Sequence, residues 1–384
     1  MKRVSMVVVL ALLCALLPVR AQAVELDLAG KSALLMDVNT GTILYESNAH
    51  EKLAPASVTK VMTMLLIMEA VDSGKIAMTD TVTASEAAAA KGGSQIYLKV
   101  GETMSVSDML KSIAVSSAND CACAMAEHIA GSEPAFVDMM NAKARELGMN
   151  DTNFVNCTGL DDDDTAKAHR TSAHDIAIMS RELLVNHPDI KKYTTIWMDS
   201  IRGGSFGLSN TNKLVRYYPG CTGLKTGFTS GAGYCLSASA QRDGLELIAV
   251  VMGSQTSQKR FDACRRMLDW GFATFALFRP ESPTGAAVSV KLGTVPTVSA
   301  VLETAQPLLV EKGQLSRITA RAELSEELEA PVARGDRLGE LIVECDGREL
   351  ARLPLTAGED VPKLGWADLF ARLLGRIAMG SQNS

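Results

Sequence analysis

At 384 residues, 47% of them hydrophobic and 21% charged, the chain is long enough to bury a full-sized core in two or three domains. That excludes both a disordered chain and a disulfide-stapled miniature. Thirty-eight basic against 44 acidic side chains leave a formal charge of -6, so no global positive field gathers nucleic-acid phosphates.

The chain opens with a basic Met1-Lys2-Arg3, an uncharged apolar run over residues 6–17 and a small-x-small Ala21-Gln22-Ala23. This is the pattern of a secretory leader over residues 1–23, with a mature chain from near Val24, and it predicts an exported protein. A membrane-spanning helix needs about 18 or more apolar residues. Pro18 and Arg20 interrupt the run before that. Of the eight cysteines, Cys14 falls in the leader; the rest are odd in number with no C-x-x-C pair, which indicates neither a zinc site nor a complete disulfide set.

Residues 33–37 and 42–46 are apolar stretches around Val38-Asn39-Thr40-Gly41, a hairpin pattern. A helix follows, with Pro55 at its start, Val58, Val61, Met62, Leu65 and Leu66 at helical spacing and Gly74 at its end, so Ser57 sits at the N-terminal end. Residues 106–129 are again helical but for the polar break 116–120. Residues 223–226, 234–240 and 245–252 read as strands, and residues 258–275 as a helix with Phe261, Cys264, Met267, Leu268 and Phe275 on one side. Strands at both ends of a helical middle predict an α/β (α+β) domain over residues 24–280, an antiparallel sheet flanked by helices.

Past the linker-like residues 279–285, short strand patterns recur at 288–290, 298–302, 308–310, 341–345 and 351–355, which predicts a small all-β domain over residues 281–358. In the last segment, residues 359–384, Trp366, Leu369, Phe370, Leu373, Leu374 and Ile377 form one apolar stripe of an amphipathic helix. Lys363, Arg372 and Arg376 against Asp368 make it locally basic, the pattern of a helix lying on a membrane surface.

Three short motifs stand in order: Ser57-Val58-Thr59-Lys60, Ser117-Ala118-Asn119 and Lys225-Thr226-Gly227. They fall at a helix start, a break between helices and a strand. A serine hydroxyl is a poor nucleophile until a base takes its proton, and Lys60 is one helical turn away on the same face. An ordinary lysine is protonated at pH 7, so Lys60 must be buried, with Lys225 as a neighbouring cation; holding it neutral costs about 4 kcal/mol. Ser117 is placed to pass a proton to a leaving amine, and Asn119 to orient Lys60 and a substrate amide. Lys225, Thr226 and Gly227 on an edge strand offer a cation, a hydroxyl and room for a substrate backbone.

The combination resembles the penicillin-recognising serine acyltransferases. Residues 54–63, 117–120 and 223–234 narrow the likeness to the D-alanyl-D-alanine carboxypeptidases, the low-molecular-mass penicillin-binding proteins, and the layout of leader, catalytic domain, β domain and terminal helix is similar throughout. The resemblance implies removal of the terminal D-alanine from peptidoglycan stem pentapeptides through an acyl-enzyme on Ser57, in the cell-wall space at the outer face of the cytoplasmic membrane. It implies β-lactam antibiotics as inhibitors, no cofactor and no metal. It also implies an oxyanion site from the backbone N–H groups of Ser57 and Phe228, and Arg260, with Thr226, for the substrate carboxylate. Rival readings are a D,D-endopeptidase acting on peptide crosslinks and a catalytically silent penicillin-binding wall scaffold.

No E-x-x-L-N stretch, which carries the deacylating glutamate of class A β-lactamases, lies between Asn119 and Lys225, so penicillin is expected to form a long-lived adduct. Residues 161–164 are four aspartates without the glycine and glutamate of a calcium loop and read as a solvated turn. His169 and His174 lack zinc spacing.

Overall fold

The computed structural model describes residues 26–161, 164–303 and 306–370. The leader and most of the terminal amphipathic helix lie outside these residues. The chain divides into two compact units. The first holds the chain up to Ala240 together with Leu247–Asp269, and the second holds Gln241–Glu246 and the chain from Trp270 onward.

The first unit is built on a five-stranded sheet. In chain order its strands are β1 (Ser32–Asp37), β2 (Ile43–Ser47), β3 (Cys221–Thr229), β4 (Gly233–Arg242) and β5 (Leu245–Ser254), arranged β2-β1-β5-β4-β3. β1 pairs antiparallel with β2 and β5, and β3 with β4. A hairpin turn at Asp243-Gly244, both at positive φ, joins β4 to β5. β1 and β5 are buried along almost their whole length because both faces of the sheet centre are covered. β3 ends the sheet, which leaves its outer edge without a neighbouring strand.

Helix α1 (Lys60–Asp72) follows a short 3-10 turn, Ala56–Thr59. Its sequence suggests one apolar stripe, yet every residue from Lys60 to Met68 is buried, so α1 runs through the middle of the helical layer. Helix α2 (Val106–Ser116) is capped by the Ser105 side chain and ends where Ser117 turns left-handed, φ 64°. Helix α3 (Asn119–Ala130) begins two residues later. Helix α4 (Ser257–Thr274) stops one residue short of its expected end; Phe275–Phe278 is instead a strand paired with Leu308–Glu311.

The second unit is all-β apart from short turns of helix. Its six-stranded sheet closes on a core of Val288, Val290, Val298, Leu338, Leu341, Val343 and Leu355. The expected α/β domain with an antiparallel sheet and the second, all-β domain are both present. Two strands of this sheet, Ile318–Leu324 and Glu327–Glu329, have no counterpart in the sequence reading. Residues 366–370 are helical, with Trp366 91% and Phe370 65% exposed.

Candidate active site

Pro55 breaks the incoming chain, and Ala56 takes φ +48°, a left-handed conformation uncommon for a residue with a side chain. The 3-10 turn thereby brings Ser57 to the head of α1, half-buried, with Lys60 directly below it. Lys60 Nζ lies 2.9 Å from Ser57 Oγ and donates to Thr158 O at 2.8 Å. The amine is 0% exposed, and burial lowers its pKa from 10.5 to about 7 against the opposing pull of Cys157 and Asp120. Such an amine is about half neutral at pH 7 and in contact with the hydroxyl it would deprotonate.

The other two motifs converge on the same face. Ser117 and Asn119 are buried at the α2–α3 break. Asn119 Nδ2 donates to Gly92 O at 2.7 Å and its backbone N–H to Ser94 O at 2.7 Å, while its buried Oδ1 accepts nothing. The group holding Lys60 is therefore the Thr158 carbonyl rather than Asn119. Lys225 is buried on β3 and donates to Thr226 O at 2.8 Å. Burial, then the charges of Lys60 and Arg260, push its pKa well below the ordinary lysine value. Desolvation is the leading cause at both lysines, and their mutual repulsion acts in the same direction.

Gly227 makes room for the protein itself. A Cβ there would stand 2.7 Å from Pro55 O and 3.0 Å from the backbone nitrogens of Ser57 and Val58, so the missing side chain lets β3 close on the Ser57 turn. Thr226 Oγ1 donates to Thr211 Oγ1 at 2.7 Å. Phe228, 53% exposed, stacks on Tyr234 with ring centroids 4.2 Å apart. Arg260, near the start of α4, is buried between Tyr234 and Phe261, and its Nη1 donates to Gly227 O at 2.8 Å and Cys235 O at 3.3 Å. Its Nε is buried without a partner. Arg260 therefore ties β3 to β4 and keeps one donor uncommitted.

One segment of the site escaped the sequence reading. Asn156 Oδ1 accepts from Gly159 N at 2.7 Å and Thr158 N at 3.2 Å, an Asx turn that aims the Thr158 carbonyl at Lys60. Gly159 has φ +81°, and a Cβ there would lie 1.8 Å from Ala56 O. Glu133 braces the segment from behind: it accepts from Cys157 N at 3.2 Å and pairs with Lys91 at 2.5 Å. The Asn-x-x-Gly spacing is the signal that could have exposed this turn. Asp161, the first of the four aspartates, accepts from Thr229 Oγ1 at 2.5 Å.

One partial match to the β-lactamase stretch, residues 182–186, puts Glu182 beside Glu69 and His187. Glu69 is nine residues beyond Lys60, about 13 Å along α1. Glu182, Glu69 and His187 are engaged by Asn186, Lys143 and Asp72 respectively. The seven cysteines of the described residues are free thiols.

Residues 19–256 match the family model of D-alanyl-D-alanine carboxypeptidases, and residues 272–363 that of the C-terminal domain of penicillin-binding protein 5. The chain is 44% identical over 360 residues to D-alanyl-D-alanine carboxypeptidase DacF of Bacillus subtilis, covering 91% of this chain and 90% of that protein. Its structure is similar to penicillin-binding protein 5 of Haemophilus influenzae, with TM-score 0.73 and 32% identity over 88% of this chain and 99% of that one. It is also similar to penicillin-binding protein D2 of Listeria monocytogenes in its ampicillin-bound form, with TM-score 0.59 and 32% identity over 65% of this chain and 99% of that one. With a half-buried serine held against a buried lysine at its centre and family matches along most of its length, the chain belongs to the D-alanyl-D-alanine carboxypeptidase family of serine hydrolases.

Proposed function

We propose that the chain removes the terminal D-alanine from peptidoglycan stem pentapeptides, with Ser57 as nucleophile and Lys60 as its base. The observation that carries this reading is the 2.9 Å contact between Ser57 Oγ and a wholly buried Lys60 amine whose pKa is about 7. The neutral amine takes the hydroxyl proton as Oγ attacks the carbonyl of the penultimate D-alanine. The tetrahedral oxyanion receives the backbone N–H groups of Ser57 and Phe228. Ser117 passes its proton to the departing nitrogen and recovers one from Lys60, so the C–N bond breaks and free D-alanine leaves. Water then attacks the Ser57 ester, its proton returning to Oγ through Lys60.

The unpartnered Asn119 Oδ1 is the acceptor for a substrate amide N–H, and its burial without a partner favours a site completed by ligand. Arg260 Nε and the Thr226 hydroxyl receive the terminal carboxylate, a charge-assisted contact that selects a free chain end. β-lactams acylate Ser57 by the same attack.

Release of D-alanine from a stem pentapeptide tests the reading. Ser57→Ala and Lys60→Met are each expected to lower it by about a thousandfold or more. Undiminished release in either, or faster cleavage of crosslinked dimers than of pentapeptide, would overturn it, the latter in favour of an endopeptidase.

Export by the leader over residues 1–23 and attachment through residues 359–384 belong to the same reading. The exposed Trp366 and Phe370 rings, with Lys363, Arg372 and Arg376 near them in the sequence, suit an anionic lipid surface. Full-length chain from residue 24 should sediment with anionic vesicles and a chain ending at Gly365 should not; equal sedimentation would contradict the attachment.

A further inference from the structure

His169 is buried in the first unit and takes no part in the proton transfers above. Its ring closes a chain of three hydrogen bonds. Val155 N donates to Nδ1 at 3.1 Å, Nε2 lies 2.8 Å from Thr59 Oγ1, and Thr59 Oγ1 donates to Ala56 O at 2.8 Å. A backbone N–H can only donate and a carbonyl can only accept, so both ends of the chain are fixed. The Thr59 hydroxyl spends its one proton on Ala56 O and must accept from Nε2–H; the ring is neutral, with its proton on Nε2. Burial, then the charges of Arg170 and Lys60, hold its pKa down at about 4, so it stays neutral through the range in which Lys60 titrates.

The chain ends on the carbonyl of the peptide unit whose nitrogen is Ser57 N. A trans peptide is planar, with C=O and N–H pointing in opposite directions. Holding Ala56 O on the interior side, against Gly159 and the Thr59 hydroxyl, therefore aims the Ser57 N–H the other way, towards β3, where the Gly227 Cβ position is 3.0 Å from Ser57 N. Ala56 would not keep its left-handed φ of +48° unless something held it. An amide whose oxygen accepts a hydrogen bond is also polarised into a stronger donor.

We propose that His169 is a positioning residue: through Thr59 it fixes the Ala56–Ser57 peptide so that the Ser57 N–H is aimed at the developing oxyanion. This rests on the reading of Ser57 as nucleophile. The predicted signature is a loss in the acylation step with no loss in initial binding, because the oxyanion exists only after attack.

The test uses the full chain and a fluorescent penicillin, with the acylation rate constant separated from the dissociation constant of the non-covalent complex. Thr59→Val removes the hydroxyl without changing the shape of the side chain. It should slow acylation by about tenfold to a hundredfold, less than the loss of a whole oxyanion donor, and leave the dissociation constant within about twofold. Thr59→Ser should restore the rate. His169→Gln, which keeps a donor near the Nε2 position, should retain more activity than His169→Ala. The double variant Thr59→Val/His169→Ala should be no slower than the slower single variant, since both cut one chain. Acylation of Thr59→Val at the parental rate, a loss confined to binding, or losses that multiply in the double variant would overturn the proposal while leaving Ser57 in place. Ser57→Ala, run alongside, should not label; labelling of that variant would overturn the nucleophile assignment and this proposal with it.

Discussion

Lys60 decides the chemistry by its protonation. With its pKa lowered to about 7 by burial, the acylation rate constant for a penicillin should rise about tenfold per pH unit up to near pH 7 and level above it. A rate constant that keeps rising about tenfold per unit past pH 8 towards 10 would show an ordinary lysine. The same burial has a cost in stability with a definite sign. Below about pH 7 the amine is protonated in both folded and unfolded chains, and the penalty is constant. Between about 7 and 10.5 only the unfolded chain holds the proton, so stability rises with pH by about 1.4 kcal/mol per unit. Denaturant unfolding of the parent and Lys60→Met should diverge with that slope in this window. Parallel curves would mean that Lys60 is not desolvated.

At the scale of elements, the site depends on how closely β3 approaches the Ser57 turn. Gly227→Ala places a methyl 2.7 Å from Pro55 O, and neither backbone can yield without moving the nucleophile. Penicillin acylation should fall by about a hundredfold or more, with little change in the circular-dichroism spectrum. Parental acylation would show that the gap between strand and turn is not needed. The three motifs could be read from the sequence because each is contiguous and carried by side chains. Thr158 could not, because it contributes a carbonyl, which any residue owns. The Thr59–His169 link spans 110 positions and leaves no local pattern. The apolar spacing of Val61, Met62, Leu65 and Leu66 marks one face of α1, and the expected burial of Lys60 is found; the fold buries Thr63, Met64 and Ile67 as well. Ile318–Leu324 alternates weakly apolar with charged residues and lies at the edge of its sheet, so it lacks the run of large side chains that marks a central strand.

Across the whole molecule, the first unit contains every group in the proposed reaction, from Ser57 to Arg260. The sequence between Asn119 and Lys225 holds no full E-x-x-L-N stretch. Glu182, in one partial match to the deacylating pattern, sits beside Glu69 and His187 and is engaged by Asn186. Once a penicillin has acylated Ser57, release should be slow compared with acylation, and steady-state hydrolysis should be close to background. Rapid turnover of penicillin by the purified chain would contradict this and call for a water-activating group at the site.

The central claim is that Ser57 is the acylated nucleophile, and mapping the penicillin adduct by mass spectrometry tests it most directly. The account predicts one penicillin per chain, on the peptide containing Ser57, and none on Ser57→Ala. An adduct on another residue, or equal labelling of the variant, would contradict it.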